Sequence, residues 1–274
     1  MQALEVPVRS ISGILLLAAL ATLLSAQQPP PTIARPQDGG TSVVTMRDGG
    51  VSQTLQSIYI PPLLNAPFTA TVHTQWIRPL PEGGTYTVVN QRRVARDSLG
   101  RIYEERWLLA PKDGDQKSQM NVIQIADPAT HTLYNCFMLQ QPHRCNLLRF
   151  TDSSTAIYKP DTVPAGPLPN GKGYSTHEDL GQQTIAGVET TGTRDITVIN
   201  AGVWGNDRPY SVTREFWYAE KLGINLQSQL SNPMAGKQIF TLSDVSLSEP
   251  DPALFELPEG FDVVDRRKSA PPTE

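Results

Sequence analysis

The chain has 274 residues, 39% of them hydrophobic and 18% charged, with a formal net charge of −4. That is the profile of a globular protein. Its mild acidity excludes broad electrostatic attraction to nucleic acid or to anionic membrane surfaces, so no nucleic-acid partner is expected.

Arg9 precedes an apolar stretch from Ile11 to Leu24, which ends in Leu24-Ser25-Ala26 ahead of polar Gln27-Gln28. A basic residue, a short apolar run and small residues before a polar start read as a signal peptide over residues 1–26, cleaved after Ala26. The apolar stretch is shorter than the ~20 residues that span a bilayer. A lipid anchor would need a cysteine where this chain has Gln27. A soluble product is therefore expected, periplasmic or secreted, with no transmembrane segment after cleavage.

Residues 27–50 are rich in Pro, Gly and Gln and read as a flexible lead-in. Order is expected to start near Val51 and to continue as one antiparallel β domain over 51–265, with a disordered tail at 266–274. Leu55 to Leu64 suggests a strand running into a turn at Pro61-Pro62. From Phe68 to Trp76 the residues alternate, with Phe68, Ala70, Val72 and Trp76 on one face and Thr69, Thr71, His73 and Gln75 on the other. Similar runs cover Thr85–Asp97, Arg101–Leu109, Ser118–Ala126, His131–Leu139, Cys145–Phe150, Thr184–Ile199, Pro209–Tyr218, Ile224–Leu230 and Lys237–Leu247. Beyond the leader no ten-residue stretch has a helical period. The expected fold is mainly β: a long antiparallel meander forming a curved sheet or half-barrel, with at most short helices.

Asp97-Ser98-Leu99-Gly100 and Lys112-Asp113-Gly114-Asp115 read as tight turns between strands. Pairing Asp97 with Arg101 would set Arg93 opposite Glu105 as a cross-strand ion pair. The proline- and glycine-rich stretch from Pro160 to Gly173 reads as a loop in preference to a boundary between two sub-sheets.

Cys136 and Cys145 flank a turn at Gln140-Gln141-Pro142 and, in an oxidising compartment, read as a disulfide. The competing reading joins His131, Cys136, His143 and Cys145 in a zinc site, but their spacing matches no finger or ribbon. Gly166 to Lys172 has the spacing of a phosphate-binding loop, yet Gly173 replaces the required hydroxyl and two prolines remove backbone donors. His177-Glu178-Asp179 offers a base and two carboxylates. Adjacent Glu104 and Glu105 point to opposite faces of a strand and cannot share a site. His73 falls on a polar face, where it is expected to be solvated. No catalytic residue, metal site or cofactor is assigned.

Arg92, Arg93 and Arg96, with Arg101 and Arg106, cluster around one hairpin. They read either as a contact for an anionic head group, an acidic glycan or a partner, or as a solvated ladder balanced by Asp97, Glu104 and Glu105. The strand aromatics Trp76, Trp107, Phe216, Trp217 and Tyr218 read mostly as core. Trp76, Trp107, Phe216 and Tyr218 are the candidates for lining an apolar groove.

Several phrases carry a resemblance: Tyr59-Ile60-Pro61-Pro62, Asn65-Ala66-Pro67-Phe68, Gln91-Arg92-Arg93, Arg101 to Trp107, Ile125-Ala126-Asp127-Pro128, Gly187-Val188-Glu189 and Pro252 to Pro258. With them the chain resembles an uncharacterised family of exported acidobacterial proteins, which implies no biochemical assignment. Ile125-Ala126-Asp127-Pro128 before His131-Thr132-Leu133-Tyr134, Leu222-Gly223 before a late strand, and Phe255-Glu256-Leu257-Pro258 are similar to the half-barrel of the LolA, LolB and RseB families. That resemblance implies a concave apolar face that binds acyl chains or senses envelope stress; the chain departs from it in lacking a clear amphipathic N-terminal helix. The expected function is a soluble, non-catalytic exported protein that binds an apolar small molecule or lipid on its curved sheet. The alternative is an envelope protein-interaction or sensor module docking a partner protein, and an uncharacterised hydrolase comes third.

Overall fold

The computed structural model describes residues 43–45, 51–53, 58–151 and 164–267, all within the unit Ala34–Glu274. The expected signal peptide and the tail from 268 lie outside the described residues. Strands β1 (Val43–Thr45) and β2 (Val51–Gln53) pair with each other as a small antiparallel sheet.

The remaining strands form one large curved sheet that does not close into a barrel. Its first half contains β3 (Phe68–Pro79), β4 (Thr85–Arg96), β5 (Ile102–Trp107), the short β6 (Ala110–Pro111), β7 (Met120–Asp127), β8 (Thr132–Phe137) and β9 (Arg144–Arg149). The second contains β10 (Gly166–Pro167), β11 (Gly173–Ile185), β12 (Val188–Ile199), β13 (Tyr210–Ala219), β14 (Ile224–Asn232), β15 (Gly236–Ser246) and β16 (Asp262–Asp265). Each half is a meander. They join where β15 pairs antiparallel with β3, so the strands on either side of the 160–173 region share one hydrogen-bonded sheet. β16 departs from the meander and lies parallel to β9 at the sheet's edge. The helical elements among the described residues are 3-10 turns at Pro169–Gly171 and Pro252–Phe255.

The alternation expected from the sequence becomes an alternation of environment. In β3, Phe68, Ala70, Val72 and Thr74 are buried while Thr69, Thr71 and His73 between them are only half-buried. Register carries the buried face to the neighbouring strands. Ala70 sits opposite Val94, and Val72 sits between Arg92 of β4 and Leu242 of β15. Ile58, Ile60 and Leu222 pack against this face with Phe68, Val72, Leu226 and Leu242. Each such side chain contributes about 1.5–3 kcal/mol by leaving water. On the opposite face a smaller cluster joins Ala95, Tyr103 and Ile125 to Phe255 of the second 3-10 turn.

One expected strand divides. The run Thr184–Ile199 contains a hairpin turn, because Ala186 and Gly187 take positive φ angles of 47° and 80° and Ile185 pairs with Val188. The preceding strand β11 has mostly exposed side chains, so no apolar alternation announces it. Gly192 in β12 serves a close approach rather than a turn: a Cβ there would lie 2.6 Å from the Trp217 ring, which lies against that strand.

Arg96 ends β4 with its side chain on the buried face, and it is fully buried at 0% exposure. Its Nε and Nη2 donate to the Ala66 carbonyl at 2.9 and 2.8 Å. Nη1 donates to Pro61 O and Nη2 also to Leu222 O, both at 2.8 Å. Burial pulls the guanidinium's pKa down to about 10, so it stays charged at neutral pH. Its plane lies over the Phe68 ring at 5.1 Å. The arginine thus ties the covering segment before β3 and the β13–β14 turn to the sheet.

The turn after β4 has the expected register. Arg101 N donates to Asp97 Oδ1 at 2.8 Å, and its Nε meets Asp97 Oδ2 at 2.6 Å. Cys136 and Cys145 stand directly opposite each other in β8 and β9 and are joined by a disulfide. The zinc reading falls with that bond, since thiolates spent in a disulfide cannot ligate a metal.

Two stability measurements follow from these contacts. Replacing Arg96 with Ala strands the buried carbonyls of Pro61 and Leu222 and the part-buried one of Ala66, a buried one costing about 1–3 kcal/mol when unsatisfied. We expect urea unfolding to show a loss above about 3 kcal/mol, and an Arg96→Lys protein to recover only part of it because one ammonium cannot span all three acceptors. Paired Cys136→Ser and Cys145→Ser substitutions should lower stability by about 2–3 kcal/mol on loop-closure entropy, measured in the same titration without reductant.

Candidate functional site

The β4–β5 ladder stops short. Val94, Ala95 and Arg96 pair with Glu104, Tyr103 and Ile102, and β4 next finds a partner at Val88 and Val89, which pair with Pro111 and Ala110 of β6. Between them, residues 90–93 of β4 have no strand neighbour on that side. Side chains bridge the interval. Glu105 Oε2 accepts from the Arg93 main-chain N–H at 3.1 Å, and Asn90 Nδ2 donates to the Trp107 carbonyl at 2.7 Å. The expected Arg93–Glu105 ion pair is therefore replaced by a backbone-to-carboxylate bond.

A groove of about 820 Å³ lies over this interval, on the face opposite the main core. Its floor includes Thr71, His73 and Gln75 of β3, Gln91 and Arg93 of β4, and Ile239 and Thr241 of β15. Glu105 and Trp107 form one wall, and the turn after β6, with Lys112 and Lys117, forms the rim.

Glu105 fixes the geometry of that wall. Besides the Arg93 N–H it accepts the Trp107 indole N–H at 2.7 Å and the Tyr103 hydroxyl at 3.1 Å. Three donors leave little of the carboxylate for a ligand. They also hold the indole in place, because Glu105 and Trp107 lie two residues apart on one face of a strand. Burial first, then the Glu105 charge, pushes the Tyr103 phenol above its ordinary value, while the Arg93 charge pulls the other way. The Arg93 side chain is exposed, and its guanidinium has no partner among the described residues.

His73, at the groove floor, is half-buried rather than freely solvated, and its Nε2 lies 2.7 Å from Ser243 Oγ. That hydroxyl donates its one proton to Asp244 Oδ2 at 2.8 Å, so His73 is the donor toward Ser243. The polarity is the reverse of a base activating a serine.

The three arginines named from the sequence are not brought together. Arg92 and Arg96 lie on the core face, at 4% and 0% exposure, while Arg93 faces the groove. Arg92 pairs with Glu104 at 3.3 Å, and Glu104 also meets Arg106 Nη2 at 2.7 Å. Arg106 Nε then donates to Gln124, and Gln124 Nε2 to Asn135 Oδ1 at 2.9 Å, giving a polar row across four strands. Burial, partly offset by Glu104, brings the Arg92 pKa down to about 10. Glu104 and Glu105 occupy opposite faces, as adjacent strand residues must.

The four candidate lining aromatics are likewise divided. Phe216 and Tyr218 are buried at 8% and 9% exposure, and Trp76 on the core face donates its indole N–H to Ala235 O at 2.8 Å. Trp107 alone of the four lines the groove. Sequence reading missed the groove's rim and the part played by Glu105. The spacing Tyr103-x-Glu105-x-Trp107 was the available signal, since period two puts all three on one face.

No family model matches the sequence, and no curated protein matches it. Among solved structures, the chain is similar to the MucA/MucB complex of Pseudomonas aeruginosa, at 14% identity and a TM-score of 0.34. The match covers 72% of this chain and 58% of that one, so the chain spans less than two thirds of the length of that relative. It is similar also to a LolA superfamily protein of Nitrosomonas europaea, at 9% identity and a TM-score of 0.29, covering 71% of this chain and 92% of that one. LprF of Mycobacterium bovis matches at 9% identity and a TM-score of 0.27, over 68% and 90% of the two chains.

The Tyr103 shift fixes a pH dependence. A phenol whose folded pKa exceeds its unfolded value near 10 contributes stability that is complete below about pH 10 and is lost as pH rises through the folded value. Between pH 9 and 11 the urea midpoint should fall less for Tyr103→Phe than for the native protein.

Proposed function

We propose that the chain is an exported, non-catalytic binding module whose ligand occupies the groove over the β4–β5 interval and is held there by an anionic group on Arg93. The observation that carries this reading is the Arg93 guanidinium, without a partner among the described residues, beside an indole fixed in place by a carboxylate that already holds three donors. A volume near 820 Å³ falls in the range of about 300–1,000 Å³ that encloses small ligands. Export follows from the amino-terminal reading, and the disulfide suits an oxidising compartment, periplasmic or extracellular.

The apolar-ligand reading is less well supported. Where the core face is apolar, Ile58, Ile60 and Leu222 already cover it. The groove, in contrast, sets amides, hydroxyls and charges among its apolar surface, and an acyl chain there would leave those polar groups without partners,.

The reading is tested on protein recovered from the envelope fraction with its amino end at Gln27. Native mass spectrometry should detect an anionic adduct, and restoring that ligand at one hundred times its Kd should stabilise the protein by about 2.7 kcal/mol. An Arg93→Ala protein should bind at least about tenfold more weakly, the loss expected of one charged hydrogen-bond pair. An acyl-chain adduct retained in full by Arg93→Ala would overturn the proposal.

A further inference from the structure

We infer that the ligand class is an acidic oligosaccharide, in which a sugar ring stacks on Trp107 and a uronate carboxylate pairs with Arg93. This rests on the groove being the binding site, as proposed above.

The neutral polar groups come first. Thr71, Gln75, Gln91 and Thr241 line the groove, and hydroxyl and amide side chains carry both donors and acceptors. A free carboxylate only accepts, so it would use half of what they offer. Sugar hydroxyls donate and accept, and they match both halves.

Trp107 makes the second demand. Its N–H is committed to Glu105 at 2.7 Å, so what it can give a ligand is ring surface. A pyranose presents an apolar C–H face edged by hydroxyls, and a fixed aromatic wall beside amide groups is complementary to that pattern.

Charge supplies the third. Glu105 has three donors of its own, and the Arg93 guanidinium is left without a partner among the described residues. A planar guanidinium matches a carboxylate through two parallel hydrogen bonds. Lys112 and Lys117 at the rim add positive charge, which Asp113 between them offsets in part, in a chain whose formal net charge is −4. The cations are few and local, which suits one or two uronate residues rather than a long polyanion.

The experiment is titration calorimetry of the purified protein with trigalacturonate, trimannuronate and a hyaluronan tetrasaccharide. Maltotriose, a triglutamate peptide, inorganic phosphate and oleate serve as comparators. At least one uronate oligosaccharide should bind tenfold or more tightly than maltotriose. Arg93→Gln should remove that advantage, and Trp107→Phe should weaken both uronate and neutral sugar. Triglutamate, phosphate or oleate binding better than every uronate probe, with the loss still confined to Arg93→Gln, would overturn the sugar assignment and leave the groove standing. Uronate binding indifferent to both substitutions, or no probe responding to either, would overturn the groove itself. Failure of all three uronate oligosaccharides to bind counts against the inference outright.

Discussion

A charged guanidinium buried under the end of the sheet is the constraint on which the rest of this structure depends. Arg96 ties two stretches far apart in sequence to β4, one through the carbonyls of Pro61 and Ala66 and the other through that of Leu222. Taking a charge from water is expensive, and main-chain acceptors repay that expense only when the donors' geometry is satisfied. The five N–H groups of an arginine make such an arrangement possible, whereas a lysine's single ammonium does not. The apolar cover formed by Ile58 and Ile60 is therefore anchored by polar contacts as well as by burial.

The orientation of Arg96 has a second effect, which reaches the groove. Strand residues alternate, so an inward Arg96 sets Val94 and Arg92 inward and Arg93 outward. Inward Arg92 is neutralised by Glu104, and the polar row continues through Arg106 to Gln124 and Asn135. Outward Arg93 meets Glu105 only through its main chain, because the ladder has already opened. One strand thus uses similar residues for opposite ends: two arginines hold the interior together and the one between them faces the groove.

Much of the fold was legible in the sequence, and what was not has identifiable causes. Period-two alternation marked β3, β4 and the late strands because each has one buried face. The Asp97–Gly100 turn and the cysteine pair declared themselves through local chemistry. β11 did not, since its side chains are mostly exposed and leave no apolar period to read. The pairing of β15 with β3 joins residues about 165 positions apart and has no local signature. For the site, alternation placed Glu104 and Glu105 on opposite faces correctly. It could not relate one strand's faces to those of another: Trp76 and Trp107 were grouped by residue type, yet they fall on different sides. Nor could it separate an arginine held by carbonyls from one in water, because the carbonyls of Pro61 and Leu222 have no side-chain identity to recognise.

The joining of β3 to β15 also imposes a timetable. A chain that emerges from its amino end completes the strands β3 to β9 early, but β3 keeps a bare flank until residues 236–246 arrive, and β9 keeps one until 262–265 follow. For most of its emergence the first half is therefore a sheet with two unsatisfied borders, the arrangement most prone to pairing with a stranger. The stretch from 236 to 265 closes both. Truncation from the carboxyl end would leave a nearly complete set of strands that is adhesive rather than merely weakened.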